Sequence, residues 1–187
     1  MPWEGQMPIR LTREEFHRWT NGRAGRYERV AGEPVAMSPE RVQHVRIKSR
    51  IWAALDHAIR GAGLDCEALA DGVTIEVDAD TDYEPDAVVN CGPRLPPDAT
   101  AANNPVIVVE VLSPSTQSVD SSEKLADYLR VPSIQHYLIV RARRQEIIHH
   151  WRSGQEIVSR AVNVGMIRLD PPGIELDVAD VYGVAEA

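Results

Sequence analysis

The sequence predicts a mixed α/β (α+β) fold, and three observations predict it. The run Pro105-Val-Ile-Val-Val-Glu-Val-Leu112 is short, β-branched and flanked by prolines, the pattern of a strand buried on both faces. From Val42 to Ile59, apolar residues recur instead at three- and four-residue intervals, as in a helix with one face on a core. Short alternating segments punctuated by Gly-containing turns supply further antiparallel strands.

Taken in order, Leu11 to Trp19 places Leu11, Phe16 and Trp19 on one helical face, and Thr12 with Glu15 forms a capping box. Arg26 to Val30 and Pro34 to Met37 flank Ala31-Gly32-Glu33 and read as a β-hairpin. Glu28 on that hairpin is either a charge on an exposed strand face or part of a site. Ser38-Pro39-Glu40 opens the long helix, and Gly61 and Gly63 end it. His44, early in this helix, is either a surface histidine or a group that positions water or phosphate.

A strand over Cys66 to Leu69, a turn at Asp71-Gly72 and an alternating strand over Val73 to Val77 follow. Asp78, Asp80, Thr81 and Asp82 read as a solvated acidic turn; the glycine and terminal glutamate of a calcium loop are missing. Tyr83 to Asn90 reads as one strand, and Cys91 to Pro105 as a surface loop. After the buried strand, Ser113-Pro114-Ser115-Thr116 forms a strand-to-helix corner, and Asp120 or Ser121 caps a helix that ends before Pro132. His136 to Val140 is a strand, Ser153-Gly154 turns a hairpin, and residues from Gly173 onward give a last strand and a helical turn. His149 and His150 are neighbours on a strand and point to opposite faces, so they do not chelate one ion.

At 187 residues with no repeat or linker, one domain over 1–187 is expected. Hydrophobic residues are 43% and charged residues 26%, as in soluble globular proteins. With no apolar run of membrane-spanning length and no signal-peptide pattern, a cytoplasmic protein is expected. Cys66 and Cys91 have no CxxC spacing, so two buried reduced thiols are expected rather than a zinc site. The net charge of −8 argues against holding DNA by overall charge, so a nucleic-acid partner would require a locally basic cleft. Lys48 and Lys124 are the only lysines among 20 basic residues. In an arginine background, a lysine marks a place where a compact, titratable point charge suits better than a fixed fork.

Glu110 lies inside the buried run, and an ionised carboxylate there needs a cation, a metal or a raised pKa. Asp86 heads a second aliphatic run, and Lys124 falls on the next helix. Two carboxylates on adjacent strands can hold Mg²⁺ or Mn²⁺ while leaving positions for water and substrate. A lysine beside them can orient the water and offset charge on phosphoryl oxygens. Asp86, Glu110 and the carbonyl of Val111 are thus the candidate metal ligands. Asp86, Glu110, Lys124, His44 and Glu28 are the candidate catalytic residues. No organic cofactor site is visible. Equally, an acid at a strand edge, an acid paired with arginine and an exposed helix lysine occur in most domains.

The stretch Tyr83-Glu84-Pro85-Asp86, the run Val109-Glu110-Val111-Leu112-Ser113-Pro114-Ser115-Thr116, and Asp120 and Lys124 ahead of Tyr128 resemble the PD-(D/E)XK nuclease superfamily. Within it they are most similar to the Uma-two type of restriction-endonuclease-like proteins. Tyr27-Glu28 with Gly32-Glu33, His44, and Pro132 to Tyr137 also fit, and the likeness covers about residues 10–160. The resemblance implies a restriction-endonuclease-like fold with a central mixed sheet flanked by helices, a divalent metal, a DNA substrate and commonly a homodimer. The usual Glu-X-Lys would put a lysine at Leu112; here the resemblance shifts that role to Lys124, which requires its helix to fold back on Asp86 and Glu110. Two readings follow: a Mg²⁺-dependent endodeoxyribonuclease, or a non-catalytic homodimeric binding or regulatory module that keeps the fold.

Overall fold

The computed structural model describes residues 9–112 and 120–183. The predicted Ser113-Pro114-Ser115-Thr116 corner lies outside the described residues, as do the side chains of Asp120 and Ser121, expected to cap the next helix. The elements are α1 (Arg13–Thr20), β1 (Tyr27–Val30), β2 (Glu33–Ala36), α2 (Val42–Ala62), β3 (Cys66–Ala70), β4 (Ile75–Glu76), β5 (Asp82–Tyr83) and β6 (Ala87–Cys91). They continue with β7 (Pro105–Leu112), α3 (Asp120–Tyr128), β8 (His136–Arg141), β9 (Ile147–Ser153), β10 (Glu156–Val162), β11 (Met166–Leu169), β12 (Ile174–Asp177) and α4 (Val178–Tyr182).

Six strands form the central sheet in the order β10-β9-β8-β7-β6-β3. It is mixed as expected: β7 and β8 run parallel, joined by a crossover through α3, and the other pairs are antiparallel. Every residue of β7 is buried, which is why its sequence is a continuous aliphatic run rather than an alternation. On one face α2 lays Ile47, Ile51, Leu55 and Ile59 against Val89, Val109 and Leu138, with the β11–β12 hairpin and α4 beside it. Ile51 and Leu55 are fully buried, each contributing about 1.5–3 kcal/mol of apolar transfer. Gly63 ends α2 in the left-handed conformation, at φ 63°, where its N–H returns to Arg60 and Ile59. The other face carries α3 and a second sheet, β2-β1-β5-β4, packed through Tyr83, Tyr128, Tyr137, Val108 and Ile139. No helix among the described residues is long and apolar enough to cross a membrane.

Several expectations are corrected. Tyr83 to Asn90 is not one strand: Pro85 has no N–H to give a ladder, and Glu84-Pro85-Asp86 separates β5 in the small sheet from β6 in the large one. The Asp71-Gly72 turn likewise separates strands that join different sheets. The acidic turn is not merely solvated. The Asp78 carboxylate accepts the N–H groups of Asp80 and Thr81, and buried Asp82 accepts from the fully buried Arg29 (2.7 Å) and from Arg13 (2.7 Å). Cys66 and Cys91, expected as reduced thiols, face each other across β3 and β6 and form a disulfide. The β11 strand was not expected at all.

Candidate active site

Three elements converge where β6 begins and β7 nears its end. Asp86 enters just before β6, with its N–H donating to the Val109 carbonyl (3.0 Å). Its Oδ2 accepts the Val111 N–H at 2.6 Å, replacing a ladder partner. This fixes the carboxylate, so Oδ1 is the oxygen that meets His44 Nε2 (3.2 Å) and Lys48 Nζ (3.6 Å) from α2. Val111 was expected to offer its carbonyl; the group that its described contacts bring to Asp86 is its N–H.

Glu110, one residue earlier on β7, is buried and accepts from the Tyr128 hydroxyl (2.8 Å) and from Lys124 Nζ (3.2 Å). Lys124 also donates to Glu28 Oε1 at 2.9 Å and stands 4.9 Å over the Tyr83 ring. The α3 helix therefore does fold back and sets Lys124 beside Glu110. Glu28 is buried, not on an exposed face, and it also accepts the Glu84 N–H (3.0 Å). Within the Tyr83-Glu84-Pro85-Asp86 stretch, Tyr83, Glu84 and Asp86 are each held by a side-chain contact. The Tyr83 hydroxyl donates to Asp127 (2.7 Å), Glu84 meets Arg26 (2.8 Å), and Asp86 meets β7 and α2.

Sequence reasoning missed the layer behind Asp86. Lys48 Nζ donates to Glu40 Oε1 (2.5 Å) and to Asp71 Oδ2 (2.9 Å), while Arg26 bridges Asp71, Glu84 and Glu40. Gly72, at φ 99°, makes the turn that presents Asp71 here. Two signals could have found this layer. Glu40, His44 and Lys48 recur at intervals of four, and the argument from scarce lysines applied to Lys48 as much as to Lys124.

Electrostatics follow from burial and crowding. Burial raises the Glu110 pKa; Lys124 opposes the shift, and the nearby carboxylates of Asp86 and Glu28 add to it. Burial alone would lower His44, yet the hydrogen bond and charge of Asp86 leave it raised. For Asp71, burial opposes ionisation, but Lys48 and Arg26 hold its carboxyl below the ordinary range. On the α2 face of the sheet, His136 and His149 share a 2.9 Å contact, and burial lowers both; His150 bonds Ser159 instead, so the histidine neighbours do face apart.

Glu40, His44 and Asp86 bring one ligand atom each to within 4.8 Å of one another. Two carboxylates and an imidazole are a donor set that accepts a hard divalent ion and suits Mn²⁺ as well as Mg²⁺. The residues therefore fit a metal, with Asp86 as the member that the sequence also indicated. Glu110 is outside that trio.

The arrangement is a mixed sheet with acids at adjoining strands and a lysine returned from the crossover helix. A solved structure described as "a putative nuclease belonging to DUF820" from Anabaena variabilis ATCC 29413 has the same fold. Its TM-score is 0.70 over 94% of this chain and 98% of that one, at 16% identity. Residues 13–179 match the Uma2 family, described as "Putative restriction endonuclease", and the chain belongs to that family. An uncharacterized protein of Synechocystis sp. (strain ATCC 27184 / PCC 6803 / Kazusa), slr1290, is 31% identical over 139 residues, 74% of this chain and 72% of that one.

Proposed function

We propose that this chain is a metal-dependent endonuclease that hydrolyses phosphodiester bonds in DNA. One observation carries the reading. Six carboxylates, Glu28, Glu40, Asp71, Glu84, Asp86 and Glu110, converge on three basic side chains, Arg26, Lys48 and Lys124, with His44 a fourth when protonated. A cluster with surplus negative charge, buried at Glu28, Asp86 and Glu110, is stabilised by a further cation.

In this reading Asp86 and Glu110 hold Mg²⁺ or Mn²⁺, with Glu40 and His44 as added donors beside Asp86. When bound, the ion supplies Lewis-acid polarisation of a phosphoryl oxygen and acidifies water. Lys124, fixed by Glu28 and Glu110, orients the attacking water and offsets charge developing on the phosphoryl oxygens. Glu28 and Tyr128 position Lys124 and Glu110. The Val111 N–H keeps one oxygen of Asp86 engaged, so the other stays turned toward α2. The chain acts as one domain and pairs as a homodimer.

Family membership and the donor trio support this reading; the close packing of Lys48 on Glu40 and Asp71 favours the other one, a sealed salt-bridge network in a non-catalytic module. A thermal melt in Mn²⁺ separates them. Millimolar Mn²⁺ raises the melting temperature of wild type but not of Asp86→Asn if the acids bind the ion, by RT ln(1 + [L]/Kd). Equal shifts in both proteins, or none in either, refute the metal site.

A further inference from the structure

A protein of net charge −8 needs a local device to hold a polyanion, and a basic groove lies at the same end of the central sheet as the acid–lysine cluster, on its α2 face. A groove of about 470 Å³ runs between α2, the β8–β9 turn and the end of α4. Arg46, Arg50, Arg143 and Arg144 line it, and among the described residues no carboxylate does. Arg46 and Arg50 stand one helical turn apart on α2, about 6 Å along its axis. All four are exposed. Glu146, two residues past Arg144, is held by Arg144 (2.5 Å) and Arg141 (2.6 Å).

The walls are preformed. Gln43 donates to the Ala142 carbonyl (2.6 Å), tying α2 to the turn, and the Tyr182 hydroxyl donates to the Glu146 carbonyl (2.6 Å). Arg50 donates to the Tyr182 carbonyl. The Ala142 N–H donates to the Leu112 carbonyl (3.0 Å), so the turn sits at the end of β7, the same end of the sheet as Glu110. Arg46 and Arg50 lie about 200° round α2 from His44 and Lys48, so a strand held in the groove reaches Asp86 by passing over the N-terminal half of that helix.

We propose that this arginine groove holds the phosphate backbone of the nucleic-acid strand on which the acid–lysine cluster acts, a proposal that rests on the nuclease reading above. Guanidinium forks bind phosphate oxygens in pairs, and two on α2 facing two on the β8–β9 turn set the path of the strand without reading bases. The inference accounts for how an acidic protein engages a polyanion: the negative charge lies inside the cluster and on other surfaces, while this groove is positive.

The test is fluorescence anisotropy of a fluorescein-labelled DNA duplex in Ca²⁺ over a salt series. It compares wild type, Arg46→Ala/Arg143→Ala, and a charge-matched control, Arg60→Ala/Arg94→Ala. The groove variant is expected to bind roughly tenfold more weakly, with the slope of log K against log salt reduced by about 2, near 0.9 per lost phosphate contact. The control keeps the wild-type slope. A groove variant that binds like the control, or a wild type that binds no duplex, overturns the proposal. Plasmid cleavage by wild type and Glu110→Gln, run in parallel, keeps the two readings apart. Glu110-dependent cleavage with groove-independent binding overturns the groove alone. Groove-dependent binding without Glu110-dependent cleavage supports the groove and removes the nuclease.

Discussion

Lys124→Met is the sharpest test of how the site is held together. Lys124 is 6% exposed and its ammonium lies 2.9 Å from Glu28 and 3.2 Å from Glu110, residues 7% and 8% exposed. Removing it leaves two buried carboxylates facing each other, with Asp86 nearby. Breaking a buried pair from one side costs about 3–5 kcal/mol. For a chain of this size that is a fall of about 10 °C in melting temperature. Much of the loss is the uncompensated charge of Glu28, so Glu28→Gln in the Lys124→Met background should recover part of it, a non-additive cycle. The assay is thermal unfolding by circular dichroism at pH 7.5, metal-free, for wild type, both single variants and the double. A Lys124→Met melt within about 2 °C of wild type, or strictly additive variants, would refute the claim that Lys124 is the internal counter-ion of Glu28 and Glu110.

Three further outcomes follow from the same contacts. Burial pushes the Glu110 pKa from 4.5 up to about 7, so the stability that this group contributes is present below pH 4.5 and lost as pH rises to about 7. Glu110→Gln, neutral throughout, should therefore gain on metal-free wild type across that window in paired melts, with the difference flat above it. Reducing the Cys66–Cys91 bridge, which closes a separation of 25 residues, should cost about 3 kcal/mol, read as a lower melting temperature with dithiothreitol that Cys66→Ser reproduces without reductant. His44→Gln should leave the fold intact, since its side chain is only partly buried, but weaken the Mn²⁺-induced thermal shift by roughly tenfold in apparent Kd if it is a ligand of the ion.

How much of this was legible depends on whether a residue's role is written locally. The β7 strand was read to its ends because burial on both faces leaves a continuous aliphatic run between prolines. The α2 helix and the β1–β2 and β9–β10 hairpins also follow from local periodicity and turns. Asp86, Glu110 and Lys124 were found because a carboxylate in an aliphatic run and a rare lysine are local anomalies. Local patterns did not show where Tyr83 to Asn90 breaks, because Pro85 moves the chain from one sheet to the other, a tertiary event. Nor did they show the disulfide, which depends on the β3–β6 register that sets Cys66 against Cys91. The Glu40, Lys48, Asp71 and Arg26 layer assembles residues from three separate segments, and their meeting is not written in any one of them. Glu28 could be read either as an exposed strand charge or as part of a site, because its burial depends on tertiary contacts with Lys124 and Glu84.

The most direct test of the central claim is nicking of supercoiled plasmid in Mn²⁺ by wild type, Asp86→Asn and Lys124→Arg, each first shown to be folded. The account predicts cleavage by wild type that chelation abolishes, and a loss of at least about 100-fold in both variants, because Lys124→Arg keeps the charge but replaces a point ammonium with a fork. Cleavage by Asp86→Asn at the wild-type rate, or folded, Mn²⁺-bound wild type that leaves plasmid intact, would contradict it.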